Sequence, residues 1–178
     1  MKKNIAFIVI TLMATLTTHA QKGAIQLSPA IELGLPVGRF VDNAKFGVGL
    51  SIKGLYGISD NGNITLTVGS SIYTERQRLS SVLTPFLAGY RHSLNGFYIE
   101  PQLGYSFNTV HRIWVGGPSH SEHINSVAWA FGVGYASNHI DLGVRFQHLG
   151  TENDPFEEHW FNAIVLKIGY TFRLNHRK

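Results

Sequence analysis

The sequence predicts an all-β protein, an eight-stranded antiparallel up-and-down transmembrane β-barrel. Three observations lead to this prediction. Side chains alternate in character with a period of two along most of the chain, the alternating segments number eight, and the two faces that they form differ in chemistry. In a strand successive side chains point to opposite faces, so this period sorts residues onto two surfaces. An even number of strands of about 9 to 11 residues is typical of barrels that cross a bilayer.

The composition supports β structure and excludes several other classes of protein. The 178 residues include 19 Gly, 11 Phe and 7 Tyr, and only 15% are charged. Aromatic residues favour a pleated surface, and Gly-rich stretches form weak helices. The formal charge of +4 comes without a long run of Lys and Arg, so no nucleic-acid partner is expected. Because Cys is absent, disulfides and thiolate metal sites are excluded, and no cofactor is expected.

Residues 1–20 have the character of a secretory signal peptide. A pair of lysines near the start precedes a mostly apolar run from Ile5 to Leu16, and Ala20 is a small residue at a plausible cleavage position. The run is shorter than the about 20 residues that a membrane-spanning helix needs. We therefore predict that residues 1–20 are cleaved and that residues 21–178 form the barrel.

The eight predicted strands follow in chain order, each with large apolar residues on one parity and small or polar residues on the other. They cover 25–33, 46–53, 64–69, 82–91, 97–107, 126–136, 140–147 and 164–174. The segment 126–136 is the clearest, because Trp129, Phe131 and Val133 alternate with Ala and Gly. Only 82–91 is irregular, and a β-bulge near Ala88-Gly89 would explain its slipped phase.

The polarity of the two faces predicts which of them points outward. In a soluble barrel the charged residues dominate the outer face. Here the parity opposite the bulky apolar side chains is rich in Gly, Ala, Ser and Thr, which suit the narrow interior of an eight-stranded barrel. We therefore expect the bulky parity to face lipid. A secreted soluble β-barrel that binds a small ligand is the alternative.

Scattered charged side chains on the inner parity are expected to fill the lumen. A buried charge is costly unless it is paired, so we predict a network of salt bridges that blocks conduction. Neighbouring strands bring Glu32 near Lys53, whereas Glu100 lacks an obvious adjacent cation. A second expected group is Asp141 with Arg145 near Lys167. The complete predicted network is Glu32, Lys53, Glu100, Asp141, Arg145, Lys167 and Arg173.

The lengths of the connections predict the orientation of the barrel. Outer-membrane barrels have short periplasmic turns and longer external loops. If the mature chain starts in the periplasm, both termini lie there and the long connections are external. The short connections are 59–63, 92–96 and 137–138, and the long ones are 35–45, 74–80, 108–125 and 150–159.

Aromatic residues are predicted to form two girdles at the lipid–water interfaces, where rings with a polar edge are favoured. The girdle at the short turns comprises Tyr56, Tyr90, Phe97, Tyr135, Tyr170 and Phe172. The girdle at the opposite rim comprises Tyr73, Phe107 and Trp160.

Several runs of the sequence resemble the outer-membrane β-barrel domain family of small porin-like proteins of Gram-negative bacteria. These runs are Gly104-Tyr105-Ser106-Phe107, Gly134-Tyr135, Leu142-Gly143-Val144-Arg145-Phe146 and Lys167-Ile168-Gly169-Tyr170-Thr171-Phe172. The resemblance covers the mature chain and implies an integral protein of the cell outer membrane. On that reading its partners are outer-membrane lipid, lipopolysaccharide and the outer-membrane assembly machinery, and the barrel is a monomer.

A second resemblance concerns catalysis. The run Phe146-Gln147-His148 is similar to the region of outer-membrane lipid A deacylases that carries their catalytic His. Those enzymes need a Ser two residues later and a carboxylate on the next strand. Gly150 occupies the Ser position, and Asn162 and Ala163 stand where the acid is expected. We therefore predict that the protein is not an enzyme, with a lipid A acyl hydrolase as an alternative.

The leading functional prediction is a structural or surface-interaction barrel whose external segment 108–125, with Trp114, contacts an extracellular ligand. A narrow channel for small solutes is an alternative and requires an open lumen. Several histidines map to the external side, but loop spacing alone is weak evidence for metal ligands, so no metal site is predicted. These histidines are His111, His120, His123, His148 and His159.

Overall fold

A computed structural model of the chain describes residues 22–75, 79–112, 120–153 and 158–174. The predicted signal peptide lies outside these residues. The eight long strands are β1 (Ile25–Pro36), β2 (Ala44–Gly57), β3 (Gly62–Glu75), β4 (Leu79–Leu94), β5 (Phe97–Arg112), β6 (His120–Ala136), β7 (Ile140–Asn153) and β8 (Glu158–Tyr170). Each pairs antiparallel with the next, and β1 also pairs with β8, so the sheet closes on itself. The predicted eight-stranded antiparallel barrel is confirmed.

Two short elements complete the described fold. The two-residue strand β9 (Phe172–Arg173) continues the line of β8 after Thr171 and pairs with the beginning of β1. A single helical turn, α1 (Phe40–Asn43), lies in the connection between β1 and β2 and was not predicted. In the part of the chain that the structure describes, no helix is long and apolar enough to cross a membrane.

The barrel has two distinct ends. At the turn end, residues 58–61, 95–96 and 137–139 join consecutive strands. Asn95 and Gly96 have φ values of 52° and 86°, as a two-residue hairpin turn of type I′ requires, and Gly has no Cβ to oppose this conformation. The opposite end, which we call the loop end, carries α1 and the strand ends at Glu75, Leu79, Arg112, His120, Asn153 and Glu158.

The hairpin of β5 and β6 is longer than the sequence predicted. Asn108 pairs with Ile124, and the ladder continues to the pair Arg112 and His120. The prediction of an external connection over 108–125 was therefore wrong in its bounds, because both of its ends are strand. Polar residues concealed the alternation there, yet the backbone ladder satisfies its hydrogen bonds whatever the side chains are.

The irregular segment 82–91 has a different explanation from the predicted one. The register of β4 with β3 is the same from the pair Gly62 and His92 to the pair Thr74 and Ser80 and does not shift at Ala88-Gly89, so the bulge predicted there was wrong. Leu83 and Leu87 instead point inward and are fully buried. The phase only looked slipped because large apolar residues occupy both faces of β4.

The outer face of the barrel is apolar and the inner face is small, polar or charged. Large outward side chains are among the most exposed in the described residues, with Leu50 at 67%, Ile168 at 65% and Leu103 at 63%. The loop-end half of the lumen is filled by a cluster of buried apolar residues, which we call the apolar half. It contains Phe40, Ala44, Tyr73, Leu83, Leu87, Val110, Ala128, Ala130, Leu149, Phe161, Ala163 and Val165.

Tyr73 belongs to this apolar half and not to the outer girdle in which it was predicted. It lies on the inner parity of β3 and is fully buried, with its ring centroid 5.0 Å from that of Phe40. Gly34 and Gly47 on the adjoining strands make room for the ring. A Cβ atom at Gly47 would come within 2.6 Å of the Tyr73 ring. Position near the rim suggested the girdle, whereas strand parity decides the direction of the side chain.

Candidate functional site in the barrel lumen

Five charged side chains form a continuous chain of ion pairs in the turn-end half of the lumen. The Nζ of Lys53 lies 2.6 Å from Oε1 of Glu100, and Nη2 of Arg91 lies 2.7 Å from Oε2 of the same carboxylate. That Nη2 is also 3.0 Å from Oδ2 of Asp141, to which Nζ of Lys167 donates at 2.7 Å. We call these residues the ionic chain: Lys53, Glu100, Arg91, Asp141 and Lys167.

The carboxylates of the ionic chain are saturated with hydrogen bonds. In addition to its two cations, Glu100 accepts from Oγ1 of Thr65 at 3.0 Å and from Nε2 of Gln102 at 2.9 Å. Asp141 accepts from the hydroxyl of Tyr98 at 2.8 Å and is fully buried. Because a buried charge is costly when it lacks partners, this saturation is the condition under which the carboxylates remain ionised inside the barrel.

A separate ion pair joins Glu32 and Arg145. Nη2 of Arg145 donates to Oε2 of Glu32 at 2.9 Å, and Oγ of Ser51 donates to Oε1 at 2.6 Å. The predicted proximity of Glu32 and Lys53 therefore did not become an ion pair, because Lys53 reaches across the lumen to Glu100. Pairing from strand order alone overlooks such contacts across the barrel interior.

The structure places six of the seven predicted network residues in the lumen, all of them buried: Glu32, Lys53, Glu100, Asp141, Arg145 and Lys167. The seventh, Arg173, was wrongly assigned to the buried interior. It has the inner parity but lies at the turn end, where its side chain is exposed. The lumen is open to solvent at that end, so the parity of a strand does not guarantee burial there.

Sequence reasoning missed Arg91 and Tyr98, which both belong to the site. Arg91 ends the irregular segment 82–91, and it supplies the cation that Glu100 seemed to lack. Tyr98 points inward beside Glu100 on β5, and the Arg91 guanidinium carbon lies 3.7 Å from the centroid of its ring. Strict alternation counted forward from Leu87, rather than residue size, would have placed Arg91 in the lumen.

Two small cavities border the ionic chain. One has a volume of about 10 Å³, roughly the space of one water molecule, and Lys53, Arg145 and Lys167 are among its lining residues. The other, of about 40 Å³, lies at the turn end beside Arg91 and Arg173. Among the described residues no group of three or more His, Asp or Glu is arranged to hold a metal ion.

Most of the predicted girdle residues point outward. At the turn end the exposed rings are Tyr56, Tyr90, Phe97, Tyr170 and Phe172, and Phe107 is exposed toward the loop end. Tyr135 is half-buried, with its ring centroid 5.2 Å from that of Phe97. The side chain of Trp160 lies outside the described residues. The interfacial role of these rings stays a prediction.

The region considered for catalysis lies on the outer face toward the loop end. Nδ1 of His148 is 2.7 Å from Oδ1 of Asn162, and the His148 ring stacks on Trp129 with a centroid separation of 6.0 Å. The hydrogen-bond partner on the next strand, where a hydrolase triad needs a carboxylate, is thus an amide, which cannot supply that charge. Gly150, at the Ser position, has φ of 100°.

Comparison with known proteins defines the class of fold. No protein-family model and no curated protein matches the chain. The described strands form a closed eight-stranded antiparallel barrel, and solved structures of outer-membrane barrels share this fold.

Three solved structures illustrate the likeness. Ail, the attachment invasion locus protein of Yersinia pestis, is 15% identical with a TM-score of 0.60, covering 85% of this chain and 100% of its own. The N-terminal β-barrel domain of Pseudomonas aeruginosa OprF is 14% identical with a TM-score of 0.57, covering 85% and 98%. Neisserial surface protein A is 17% identical with a TM-score of 0.53, covering 85% and 96%. A second Ail structure is a complex with the heparin analogue sucrose octasulfate.

Proposed function

We propose that the protein is an integral β-barrel of the outer membrane with a closed lumen and a structural or surface-interaction role. Residues 1–20 are its cleaved signal peptide, and both termini of the mature chain lie in the periplasm. It inserts as a monomer into lipid and lipopolysaccharide with the help of the outer-membrane assembly machinery.

The observation that carries this proposal is the inverted polarity of the barrel. The described outer face exposes large apolar side chains on every long strand, while seven charged side chains are buried in the lumen. Water disfavours an apolar surface of this extent, whereas a hydrocarbon environment favours it. A secreted soluble carrier requires the opposite arrangement, with an apolar interior and a polar outer face.

The filled lumen supports a structural or surface role over conduction. The apolar half fills the loop-end part of the interior, and the ionic chain with the Glu32–Arg145 pair crosses the turn-end part. A water-filled path for solutes needs a continuous opening, and the cavity beside Lys53 has room for about one water. We therefore propose that the buried network closes the barrel.

The extended hairpin of β5 and β6 is the proposed contact surface for an extracellular ligand. Its paired residues reach Arg112 and His120 at the loop end, beyond the apolar half of the lumen. The Ail complex with sucrose octasulfate illustrates that a barrel of this fold can present a ligand-binding surface. For this chain we propose the same kind of contact through segment 108–125.

We further propose that the protein has no catalytic activity. Gly150 lacks the hydroxyl that a Ser nucleophile would supply, and Asn162 lacks the charge of a triad acid beside His148. A lipid A acyl hydrolase would release fatty acid from lipid A. Mass analysis of lipid A from cells with and without the protein tests this, and loss of an acyl chain would contradict the proposal.

The decisive experiment for membrane insertion combines cell fractionation with gel mobility before and after boiling. An intact barrel that resists detergent migrates as a compact species until it is heated. We expect the protein in the outer-membrane fraction with a clear shift in mobility. A single unshifted band in the soluble periplasmic fraction would contradict the proposal and favour a soluble carrier.

Planar-bilayer recording then separates a closed barrel from a channel. We expect the folded parent to show no stable conductance, because the apolar half fills the loop-end part of the lumen and the ionic chain fills the turn-end part. A matched variant, Leu87→Ala, removes apolar side-chain volume from the apolar half but leaves the ionic chain intact. Because the ionic chain still blocks the turn-end half of the lumen, this variant should show no stable conductance either. Stable unitary currents from the parent would establish the channel.

A further inference from the structure

Among the side chains that the structure describes, the buried charges of the lumen do not balance. The Glu32–Arg145 pair is neutral, whereas the ionic chain contains three cations and only two carboxylates. The ionic chain therefore carries one excess positive charge when all of its members are ionised. Every one of these side chains is at most 8% exposed, so water screens the excess poorly.

The protein groups that surround the ionic chain cannot absorb this excess. Glu100 already receives donors from Lys53, Arg91, Thr65 and Gln102. Asp141 receives donors from Tyr98, Arg91 and Lys167 and has no exposed surface. An uncompensated buried charge is strongly destabilising, so a further anionic group in contact with the cations would stabilise the fold.

The two ends of the ionic chain converge on one small cavity. Lys53 begins the ionic chain and Lys167 ends it, and both line the cavity of about 10 Å³ together with Arg145. Glu100 is the carboxylate in its lining, and it is already saturated. The cavity is thus bordered by three cations, and its size matches one small particle such as a water or a monatomic ion.

Hydrogen-bond donors remain available at this cavity. An ammonium group has three donors, and the described contacts of Lys167 use one of them, on Asp141. Both contacts of the Lys53 ammonium go to Glu100, which leaves a further proton. Nε of Arg145 is buried and has no hydrogen-bond partner among the described residues. Because Arg145 is only 7% exposed, solvent does not readily supply that partner.

We propose that this cavity binds one monovalent anion of the size of chloride. The ammonium groups of Lys53 and Lys167 and the Nε of Arg145 are its donors. The bound anion neutralises the excess charge of the ionic chain and completes the filling of the turn-end half of the lumen. The site uses only buried strand residues, so it goes beyond the proposed surface role and does not depend on the loop-end connections.

Gly132 provides a variant that alters the cavity without altering any charge. It lines the cavity, and a Cβ atom there would lie 3.6 Å from the Val144 carbonyl oxygen and 3.7 Å from Cβ of Arg145. These are ordinary van der Waals distances, so Gly132→Ala fits the barrel wall while it takes space from the anion. Lys53→Met is the complementary variant, because it removes the excess charge and leaves the volume nearly unchanged.

The test uses the mature chain folded in detergent micelles, with bromide as the heavier probe of a chloride site. Crystals grown in bromide should show one anomalous peak between Lys53, Arg145 and Lys167 in the parent and none in Gly132→Ala. In solution, replacing gluconate by chloride at constant ionic strength should raise the thermal midpoint of the parent by about 2 to 4 °C. Lys53→Met should lose this dependence.

A control variant separates the site from general effects of salt. Ser28→Ala removes a lumen hydroxyl that lies 3.3 Å from Oγ1 of Thr171 and does not line the cavity. It should keep both the bromide peak and the chloride dependence. Parent crystals without an anomalous bromide peak in the cavity would overturn the proposal, whatever the thermal midpoints are. That result would mean that a water or a neutral lysine resolves the charge imbalance. A peak that persists unchanged in Gly132→Ala would overturn it as well.

Discussion

The guanidinium group of Arg91 lies over the ring of Tyr98, with its carbon atom 3.7 Å from the ring centroid. The Tyr98 hydroxyl donates to Oδ1 of Asp141, to whose other oxygen Arg91 donates. Tyr98 therefore contacts both members of one ion pair: its ring face contacts Arg91 and its hydroxyl contacts Asp141. Gly134 and Gly143 leave the space that its hydroxyl occupies, since a Cβ at either position would collide with it.

This relationship predicts a graded response to substitution of Tyr98. Tyr98→Phe keeps the ring beneath Arg91 but removes the donor to Asp141, and should lower the free energy of unfolding by about 1.5 to 3 kcal/mol, as for a hydrogen bond to a charged group. Tyr98→Leu should cost a further 0.5 to 2 kcal/mol, roughly the value of a cation–π contact. Urea unfolding in lipid vesicles measures both. Tyr56→Phe, on the exposed outer face, is the control. Equal losses for Tyr98→Phe and the control would contradict the prediction.

Glu100 should be the most sensitive carboxylate of the lumen. Glu100→Gln keeps the shape of the side chain but leaves Lys53 without an anionic partner in the ionic chain. We expect a loss of about 3 to 5 kcal/mol in the free energy of unfolding, the usual effect of breaking a buried ion pair. Thr65→Val removes one neutral donor to the same carboxylate and should cost about 1 kcal/mol. The two variants are compared by urea titration, and a loss as small as that of Thr65→Val would argue against an ionised Glu100.

Gly47 should not tolerate a side chain while Tyr73 is present. A Cβ atom at Gly47 would lie 2.6 to 2.7 Å from ring atoms of Tyr73, so Gly47→Ala should destabilise the barrel by about 1 to 3 kcal/mol through overpacking. Gly54→Ala on the same strand is a matched control, because its Cβ would meet its nearest neighbour only at 4.0 Å. The temperature of the mobility shift on gels reports the difference. The double variant with Tyr73→Leu should recover part of the loss, and no recovery would show that the ring is not the obstacle.

Leu142 tests whether the outer face contacts lipid. It lies on the outer parity of β7 and is 42% exposed. Leu142 lies two residues from the start of β7 and opposite Tyr135 of the turn-end girdle, so Leu142→Arg places a cation against hydrocarbon near the interface and should lower the free energy of unfolding in a bilayer by about 1 kcal/mol. Leu142→Ala controls for the lost side chain. Refolding into vesicles as efficient as that of the parent would contradict a lipid-facing position.

Much of the barrel could be predicted from the sequence because strand alternation is a local property. The alternation of Trp129, Phe131 and Val133 with Ala and Gly sets the two faces of β6 without any knowledge of its neighbours. The prediction failed where size replaced parity as the guide. Leu83 and Leu87 point inward and disguised the phase of β4, and with it the inward direction of Arg91.

The partners within the lumen could not be predicted from the sequence. Lys53 on β2 and Glu100 on β5 are not on neighbouring strands, and they meet because the closed sheet brings opposite walls within reach of long side chains. Tyr73 points inward by the parity of β3, but its contact with Phe40 was likewise unpredictable, because it depends on α1 at the lumen and on two glycines that open space for the ring. The sequence by itself determined the number of strands and their two faces, since these follow from a period of two along the chain. The tertiary structure decided which buried charges pair and which cation is left over, because those depend on distances across a closed barrel.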